Sequence, residues 1–219
     1  MPSVTALRAT RSGAIALHAD GSFVCSVSEA LVARWHLFAG RDLTDQDLAE
    51  IQTQASGERV VGDAYRLLGH RVRSRAELKR RLIEKGHPEA VAEATVERLE
   101  GERLIDDAAF ATAFINDKRR QLGWGRTRLV RELGRLGVSA AVIEASLGEP
   151  DDHDEAARAL AILTRKGRPK APLEASKRRA YQMLLRRGFS HAVVYAAIRR
   201  WVAENEPDSR AGHIDATDE

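Results

Sequence analysis

The sequence predicts a mainly α protein, an elongated curved array of three tandem three-helix repeats of helix-turn-helix type, preceded by a short N-terminal β-hairpin. The first observation that predicts this fold is a leucine followed four residues later by a glycine. This pair recurs at an interval of 51 residues. The three pairs are Leu82 and Gly86, Leu133 and Gly137, and Leu184 and Gly188. The second indication is composition, because aromatic residues make up only 5% of the chain and helix-forming Ala, Leu, Arg and Glu dominate.

Each repeated glycine marks the end of one helix and the start of the next. Glycine adopts a left-handed conformation without steric cost, so it is the usual residue just after a helix. The residues two positions later, Pro88, Ser139 and Ser190, suit a helix start. Repeats of this length are typical of stacked units that bury their apolar faces against their neighbours.

The N-terminal segment differs from the repeats. Two short apolar runs, 14–18 and 22–27, flank Asp20 and Gly21, and an Asp-Gly pair favours the tight turn of a β-hairpin. Ser28 then begins a helix that ends near Gly40, and Thr44 begins a second short helix.

Five segments follow from this pattern. They are 1–58 (hairpin and short helices), 59–104 (repeat 1), 105–150 (repeat 2), 151–206 (repeat 3) and 207–219 (a disordered acidic tail). In repeat 1 we expect helices over 59–70, 74–85 and 88–102, the second of which begins with a capping box formed by Ser74 and Glu77.

Repeats 2 and 3 have the same three-helix pattern. In repeat 2, Asp106 and Asp107 precede an apolar helical face that includes Phe110, and helices follow over 126–136 and 139–147. In repeat 3 the expected helices are 152–166, 172–187 and 190–204.

Charge is distributed unevenly along the chain. Residues 1–63 hold 5 Lys/Arg and 8 Asp/Glu, whereas 64–137 hold 17 and 11, and 150–205 hold 12 and 6. Basic repeats favour binding to a polyanion or to an acidic protein surface, although a solvated arginine-rich face would give the same composition. The densest basic cluster comprises Arg71, Arg73, Arg75, Lys79, Arg80, Arg81 and Lys85, and a second comprises Lys118, Arg119, Arg120, Arg126, Arg128, Arg131 and Arg135. Trp124, between two glycines in the second cluster, favours base stacking or insertion into a partner's pocket; folding back onto its own repeat is the alternative.

The sequence offers little for catalysis. Cys25 is the single cysteine, and the seven histidines show no metal-ligand spacing, so we expect neither a metal site nor a cofactor. The adjacent carboxylates of Asp106 and Asp107 fit helix capping better than two-carboxylate chemistry. We therefore expect a protein that is not an enzyme. The absence of an apolar signal or membrane-spanning run predicts a cytoplasmic protein without membrane contact.

Three motifs resemble the RecX family of bacterial recombination regulators. The first consists of Leu67, Leu68, Arg71, Arg73, Ser74, Glu77, Leu78, Arg81, Leu82 and Gly86. The second consists of Leu104, Ile105, Asp106, Asp107, Phe110 and Ala111. The third consists of Arg120, Gly123, Gly125, Arg128, Leu129, Glu132, Leu133 and Gly137. Together they span residues 60–148, and the hairpin and third repeat match more loosely.

The resemblance implies a regulator of homologous recombination and the SOS response that binds the RecA recombinase, chiefly as a filament on single-stranded DNA. Such proteins modulate, and usually inhibit, filament assembly, ATP hydrolysis and strand exchange. We expect a monomer that also binds DNA without sequence preference. The alternative is a helical transcriptional regulator that acts on duplex DNA, but the basic residues are spread over all three repeats rather than gathered on one recognition helix.

The residues of interest fall into two groups. The candidate contacts to RecA or DNA are Arg71, Arg73, Lys79, Arg80, Arg119, Arg120, Trp124, Arg126, Arg128, Arg131, Lys177 and Arg178. The structural motif residues are Ser74, Glu77, Gly86, Asp106, Asp107, Phe110, Gly137 and Gly188.

Overall fold

A computed structural model describes residues 1–11, 13–170 and 172–205 of the 219-residue chain. The chain divides into two compact units, Met1–Ile105 and Asp106–Glu219. The first unit contains β1 (Val4–Ala9), β2 (Ile15–Ala19), β3 (Ser22–Val27), α1 (Glu29–Arg34), α2 (Asp45–His70), α3 (Arg75–Glu84) and α4 (Glu89–Gly101). The second contains α5 (Asp107–Leu122), α6 (Arg126–Arg135), α7 (Ala140–Leu147), α8 (Asp152–Lys166), α9 (Leu173–Arg187) and α10 (His191–Ala203). The acidic tail predicted over 207–219 lies outside the described residues.

The N-terminal strands form an antiparallel sheet in the order β1-β2-β3. The expected hairpin is confirmed as β2 and β3, and its turn places Asp20 and Gly21 at positive φ, 48° and 78°. Strand β1 was not predicted. It pairs with the other edge of β2, where Leu7 faces Leu17 across the ladder, and Val4 and Leu17 are fully buried in the core of this region.

Helix α2 corrects the expectation of a short helix followed by a separate one from residue 59. It is continuous for 26 residues, so the predicted boundary between 58 and 59 falls inside it. Ile51 and Ala55 pack into the core below the sheet, whereas Val60 and Ala64 pack into the core of repeat 1. One helix with successive apolar positions therefore serves two cores, and nothing between them breaks it, since Gly57 costs a helix only about 1 kcal/mol.

Each three-helix repeat has its own buried cluster, which corrects the expectation that the repeats bury their apolar faces mainly on one another. Equivalent positions fill the same place in each cluster: Leu82, Leu133 and Leu184 are all fully buried. The residue after each repeated glycine is buried as well, as His87, Val138 and Phe189. Three helices per repeat are enough to enclose these side chains.

The predicted capping residues of the repeats are confirmed, whereas the helix expected from Ser28 to near Gly40 is shorter and ends at Arg34. Ser74, Ser139 and Ser190 each accept a hydrogen bond from the backbone N–H three residues ahead, and the Asp106 carboxylate accepts from the N–H groups of Ala108 and Ala109. The glycines Gly86, Gly137 and Gly188 have φ of 90°, 82° and 85°. Phe110 lies in the core of repeat 2. The 51-residue period therefore corresponds to a helix end at a left-handed glycine, a turn and a new helix start, repeated three times. The side-chain caps vary between repeats, since Pro88 and Gly125 supply none.

Candidate nucleic-acid interface

The surplus positive charge belongs to the second unit. Residues 1–105 carry 15 Lys/Arg and 15 Asp/Glu, a net charge of zero, whereas residues 106–205 carry 19 and 12, a net charge of +7. A polyanion is attracted by net positive potential rather than by the number of basic residues. The second unit is therefore the better place to look for a polyanion-binding surface.

Most of the basic residues of repeat 1 are occupied by ion pairs. The guanidinium groups of Arg71 and Arg73 both donate to the carboxylate of Glu77, and Arg73 is only 8% exposed. Lys79 binds Glu89 and Glu93 at 2.9 and 2.7 Å. These contacts hold α3 to the preceding segment and to α4. Arg73 in particular is part of the interior, so we remove it from the candidate surface.

The turn between α5 and α6 is shaped by its two glycines. Gly123 ends α5 with a left-handed φ of 61°, and Gly125 begins α6 in an extended conformation without a side-chain cap. The N–H of Gly125 donates to the carbonyl of Arg187 at 2.8 Å, and the N–H of Thr127 donates to the carbonyl of Gly188 at 3.1 Å. This turn is consequently fixed against the end of α9.

Trp124 is half-buried and packs against the core of repeat 2. The guanidinium carbon of Arg128 lies 4.2 Å from its ring centroid, and the ring of Phe114 approaches edge-on with centroids 6.1 Å apart. The alternative in which the tryptophan folds back onto its repeat thus matches its position. With Arg128 on its face, Trp124 orients an arginine rather than offering a free ring for base stacking.

Arg126, a predicted contact residue, is largely committed to its own repeat. Its guanidinium donates to the carbonyl of Gly148 at 2.7 Å and to the carboxylate of Glu144, and its side chain is 19% exposed. Its backbone N–H donates to Glu155 of α8 at 3.0 Å. The equivalent residue of repeat 1, Arg75, binds Glu93, which is the equivalent of Glu144. The pair is therefore a structural element of the repeat.

Four arginines surround a cavity of about 190 Å³ within the second unit, which we call the arginine pocket. It is lined by Arg119, Arg120, Arg158, Arg165, Trp124 and Ile162, among others. Burial lowers the pKa of Arg119 below its usual value, and the positive charge of Arg158 lowers that pKa further. The charged form of Arg119 is thus destabilised where it stands, which is the electrostatic condition that an incoming anion relieves.

A second basic pocket shares Trp124 with the first. Its cavity of about 430 Å³ is lined by Leu122, Trp124, Arg128, Met183, Arg186 and Arg187. Arg128 donates to the carbonyl of Arg186 at 3.0 Å, and Arg187 donates to the carbonyl of Leu122 at 3.2 Å. These bonds hold the guanidinium groups of Arg128 and Arg187 beside the turn that carries Trp124, and Arg186 lines the same cavity.

The remaining predicted contacts are more peripheral. Arg120 has an 81% exposed side chain and lies 3.8 Å from Asp117. Arg131 is exposed beside Glu132, and Lys177 pairs with Glu174 at 2.8 Å. Arg178 is exposed, and Arg80 is half-exposed 3.8 Å from Glu84.

Sequence reasoning missed four arginines of the two pockets, namely Arg158, Arg165, Arg186 and Arg187. A signal for two of them was present, since Arg158 and Arg165 are seven residues apart and so share one face of α8. Their proximity to Arg119 was not readable, because it depends on how repeats 2 and 3 pack.

Neither a metal-ligand cluster nor a membrane-spanning helix is found within the described ranges. No group of three or more His, Cys, Asp or Glu side chains there is placed to hold a metal ion. None of the helices there has the length and apolar character needed to span a bilayer.

Family models match each repeat in turn. The RecX first, second and third three-helix domains match residues 62–99, 106–147 and 152–198. "Regulatory protein RecX" of Geobacillus kaustophilus (strain HTA426) is 30% identical over 218 residues, covering 96% of this chain and 81% of that protein. The protein of the same name from Streptomyces coelicolor is 34% identical over 154 residues, covering 69% and 82%.

Solved structures share the fold. A crystal structure of regulatory protein RecX superimposes with a TM-score of 0.64 at 21% identity, covering 91% of this chain and all of that one. RecX from Lactobacillus salivarius gives a TM-score of 0.58 at 17% identity, covering 67% and 96%. With three family domains in order and relatives that align over most of its length, the chain belongs to the RecX family of regulatory proteins.

Proposed function

We propose that this protein regulates homologous recombination and the SOS response by binding the RecA recombinase, mainly as a filament on single-stranded DNA, and by inhibiting filament assembly, ATP hydrolysis and strand exchange. Membership of the RecX family carries the proposal, because the three repeats match its three domains in order. The protein acts as a monomer in the cytoplasm and without chemistry of its own.

The charge distribution supports a surface directed at a nucleoprotein filament. Such a filament combines DNA phosphates with the protein that coats them, and residues 106–205 of the second unit carry a net charge of +7 with arginines around Trp124. The first unit is neutral, and its basic side chains in repeat 1 are largely paired. The second unit therefore supplies the electrostatic part of binding.

The mechanism is a shift of population. A protein that binds one state or end of a filament more tightly than free subunits or naked DNA changes assembly by that difference in affinity alone. It needs no catalytic group. Reduced ATP hydrolysis follows when fewer subunits remain in the active filament.

The test measures RecA's single-stranded-DNA-dependent ATP hydrolysis with increasing amounts of the full chain. We expect the rate to fall, and we expect the chain to sediment with RecA filaments formed with a non-hydrolysable ATP analogue. Loss of Arg120 and Arg186 together should weaken inhibition, whereas Arg34→Ala, an exposed charge of the neutral unit, should not. Unchanged hydrolysis together with tenfold or stronger preference for one duplex sequence would instead support the transcriptional-regulator alternative.

A further inference from the structure

We propose that the arginine pocket holds one phosphodiester group of a nucleic-acid strand, with Arg119 and Arg158 at its base and Arg120 and Arg165 as further positive groups. The inference deepens the proposed function by assigning DNA contact to one pocket of the second unit. It also stands without the RecA part of that function, because it concerns the binding of naked DNA.

Unbalanced charge is the first support. Of the four guanidinium groups, Arg158 donates to the carboxylates of both Asp154 and Glu155, and exposed Arg120 lies 3.8 Å from Asp117. Among the described residues, Arg119 and Arg165 form no ion pair within 4.0 Å. The pocket therefore concentrates positive charge in a partly desolvated place, which is costly unless an anion compensates it.

Unsatisfied donors are the second support. The Nε–H groups of Arg119 and Arg158 are buried and have no hydrogen-bond acceptor among the described residues. Arginine has no other protonation state to adopt in a protein, so its donors keep their need for acceptors. An oxyanion in the pocket can accept from such guanidinium groups through several oxygens at once.

The walls and the volume of the arginine pocket suit a phosphate group. Ile162 and Trp124 give the pocket apolar sides, which strengthens the attraction between opposite charges by excluding water. A water molecule takes about 30 Å³ in the liquid, so a cavity of about 190 Å³ has room for a phosphate group.

A strand of nucleic acid fits better than an isolated carboxylate of a protein partner. The second basic pocket shares Trp124 with the arginine pocket and contributes Arg128, Arg186 and Arg187. A nucleic-acid backbone repeats its negative charge at every nucleotide, so neighbouring phosphates meet both pockets, whereas one carboxylate meets only one of them.

The experiment measures binding of a fluorescently labelled oligothymidylate to the full chain, without RecA, as a function of salt. The variants are Arg119→Met and Arg165→Met, which keep an aliphatic stem, and the matched control is Arg199→Met, an exposed arginine of α10 in the same unit. We expect each pocket variant to raise Kd about tenfold and to reduce the slope of log K against log salt by about 0.7. The control should change Kd less than twofold.

Parental affinity and salt slope in both pocket variants overturn the proposal. If those variants also lose inhibition in the separate ATP-hydrolysis assay with RecA, the pocket is assigned instead to an acidic group of the protein partner. Circular dichroism confirms folding, and the exposed Arg165 keeps the test valid if Arg119→Met were to misfold. Because RecA is absent, failure here leaves the RecA-inhibition test undecided and therefore separate.

Discussion

The backbones of Gly125 and Gly188 pass so close together that neither position has room for a side chain. A Cβ built on Gly125 would lie 2.5 Å from the carbonyl oxygen of Gly188, and a Cβ built on Gly188 would lie 2.3 Å from the Cβ of Arg128. The neighbouring Thr127 N–H donates to the Gly188 carbonyl at 3.1 Å. The start of α6 and the end of α9 are thus joined by direct backbone contact between repeats 2 and 3.

This contact predicts unequal effects of the same substitution at equivalent positions. Gly86→Ala meets open space and incurs only the strain of a φ of 90°, about 1 kcal/mol. Gly188→Ala adds a clash with backbone and Cβ atoms of Arg128 to similar strain, so we expect a loss of more than about 3 kcal/mol. Chemical denaturation followed by circular dichroism gives both values. Equal losses would show that the close approach relaxes easily.

The same glycines show where sequence reasoning stops. The period identified Gly188 as a helix end from local pattern alone, and the structure confirms it. Gly125 of repeat 2 occupies the position that the capping Ser74 has in repeat 1. Nothing in the local sequence explains why repeat 2 lacks a capping side chain there. The reason is non-local, because a serine side chain would collide with Gly188, a residue of the next repeat.

The candidate site, like the repeated glycines, could be predicted only in part from the sequence. Arginine density drew attention to the segment around Trp124 and, more strongly, to repeat 1, because a sequence does not show which arginines are paired. Glu77, Glu89 and Glu93 occupy the basic side chains there, and these pairs depend on the packing of α3 against α4. The total charge of a repeat can be read from its sequence, but the number of basic side chains without an ion-pair partner depends on how the repeat folds.

Arg126 should contribute to stability more than to binding. Its bonds to Gly148 and Glu144 tie the start of α6 to the end of α7, and charge-assisted bonds of this kind contribute about 1–2 kcal/mol when partly exposed. We expect Arg126→Ala to lower the free energy of unfolding by about that amount. Arg131→Ala, whose side chain is 65% exposed, should change it by less than about 0.5 kcal/mol. Similar stability of both variants in urea would contradict the structural role.

The free energy of unfolding should fall at acid pH, because protonation of the Asp63 carboxylate weakens repeat 1. Burial opposes ionisation of this carboxyl, but hydrogen bonds from His87 and Lys85 outweigh that effect and lower its pKa. A lowered pKa contributes stability above the unfolded-state value of about 3.9, and this contribution is lost as the pH falls through the native value. Urea unfolding between pH 7 and pH 3 should therefore show a loss that Asp63→Asn lacks. A parallel loss in that variant would assign the acid sensitivity to other carboxyls.

Asp106 should act through the fold alone. Its carboxylate caps α5 by accepting from the N–H groups of Ala108 and Ala109 at 2.8 and 2.9 Å. Asp106→Ala should cost about 1 kcal/mol of stability, while Asp106→Asn, which keeps a capping oxygen, should cost less. Inhibition of RecA should be retained by both at temperatures well below melting. Loss of inhibition in the folded alanine variant would indicate a contact role for this carboxylate.

Removal of the Arg119 charge should stabilise the protein, whereas removal of the Asp106 carboxylate should destabilise it. Its guanidinium is partly desolvated beside Arg158, and burial and that neighbour both lower its pKa. Its Nε–H has no acceptor in the part of the chain that the structure describes. Methionine keeps the packing of the stem and removes the unfavourable charge, so Arg119→Met should raise the melting temperature by about 2–4 °C.

Inorganic phosphate supplies the control for that measurement. Phosphate binding to the native pocket stabilises the parent in proportion to the logarithm of phosphate concentration, whereas Arg119→Met should respond much less. The difference in melting temperature between the two proteins should therefore narrow as phosphate replaces chloride at constant ionic strength. A variant that melts below the parent in chloride would mean that Arg119 supports the fold, as Arg126 does. Higher stability with weaker anion response instead means that the charge is kept at a cost in stability, which is the expected property of a binding residue.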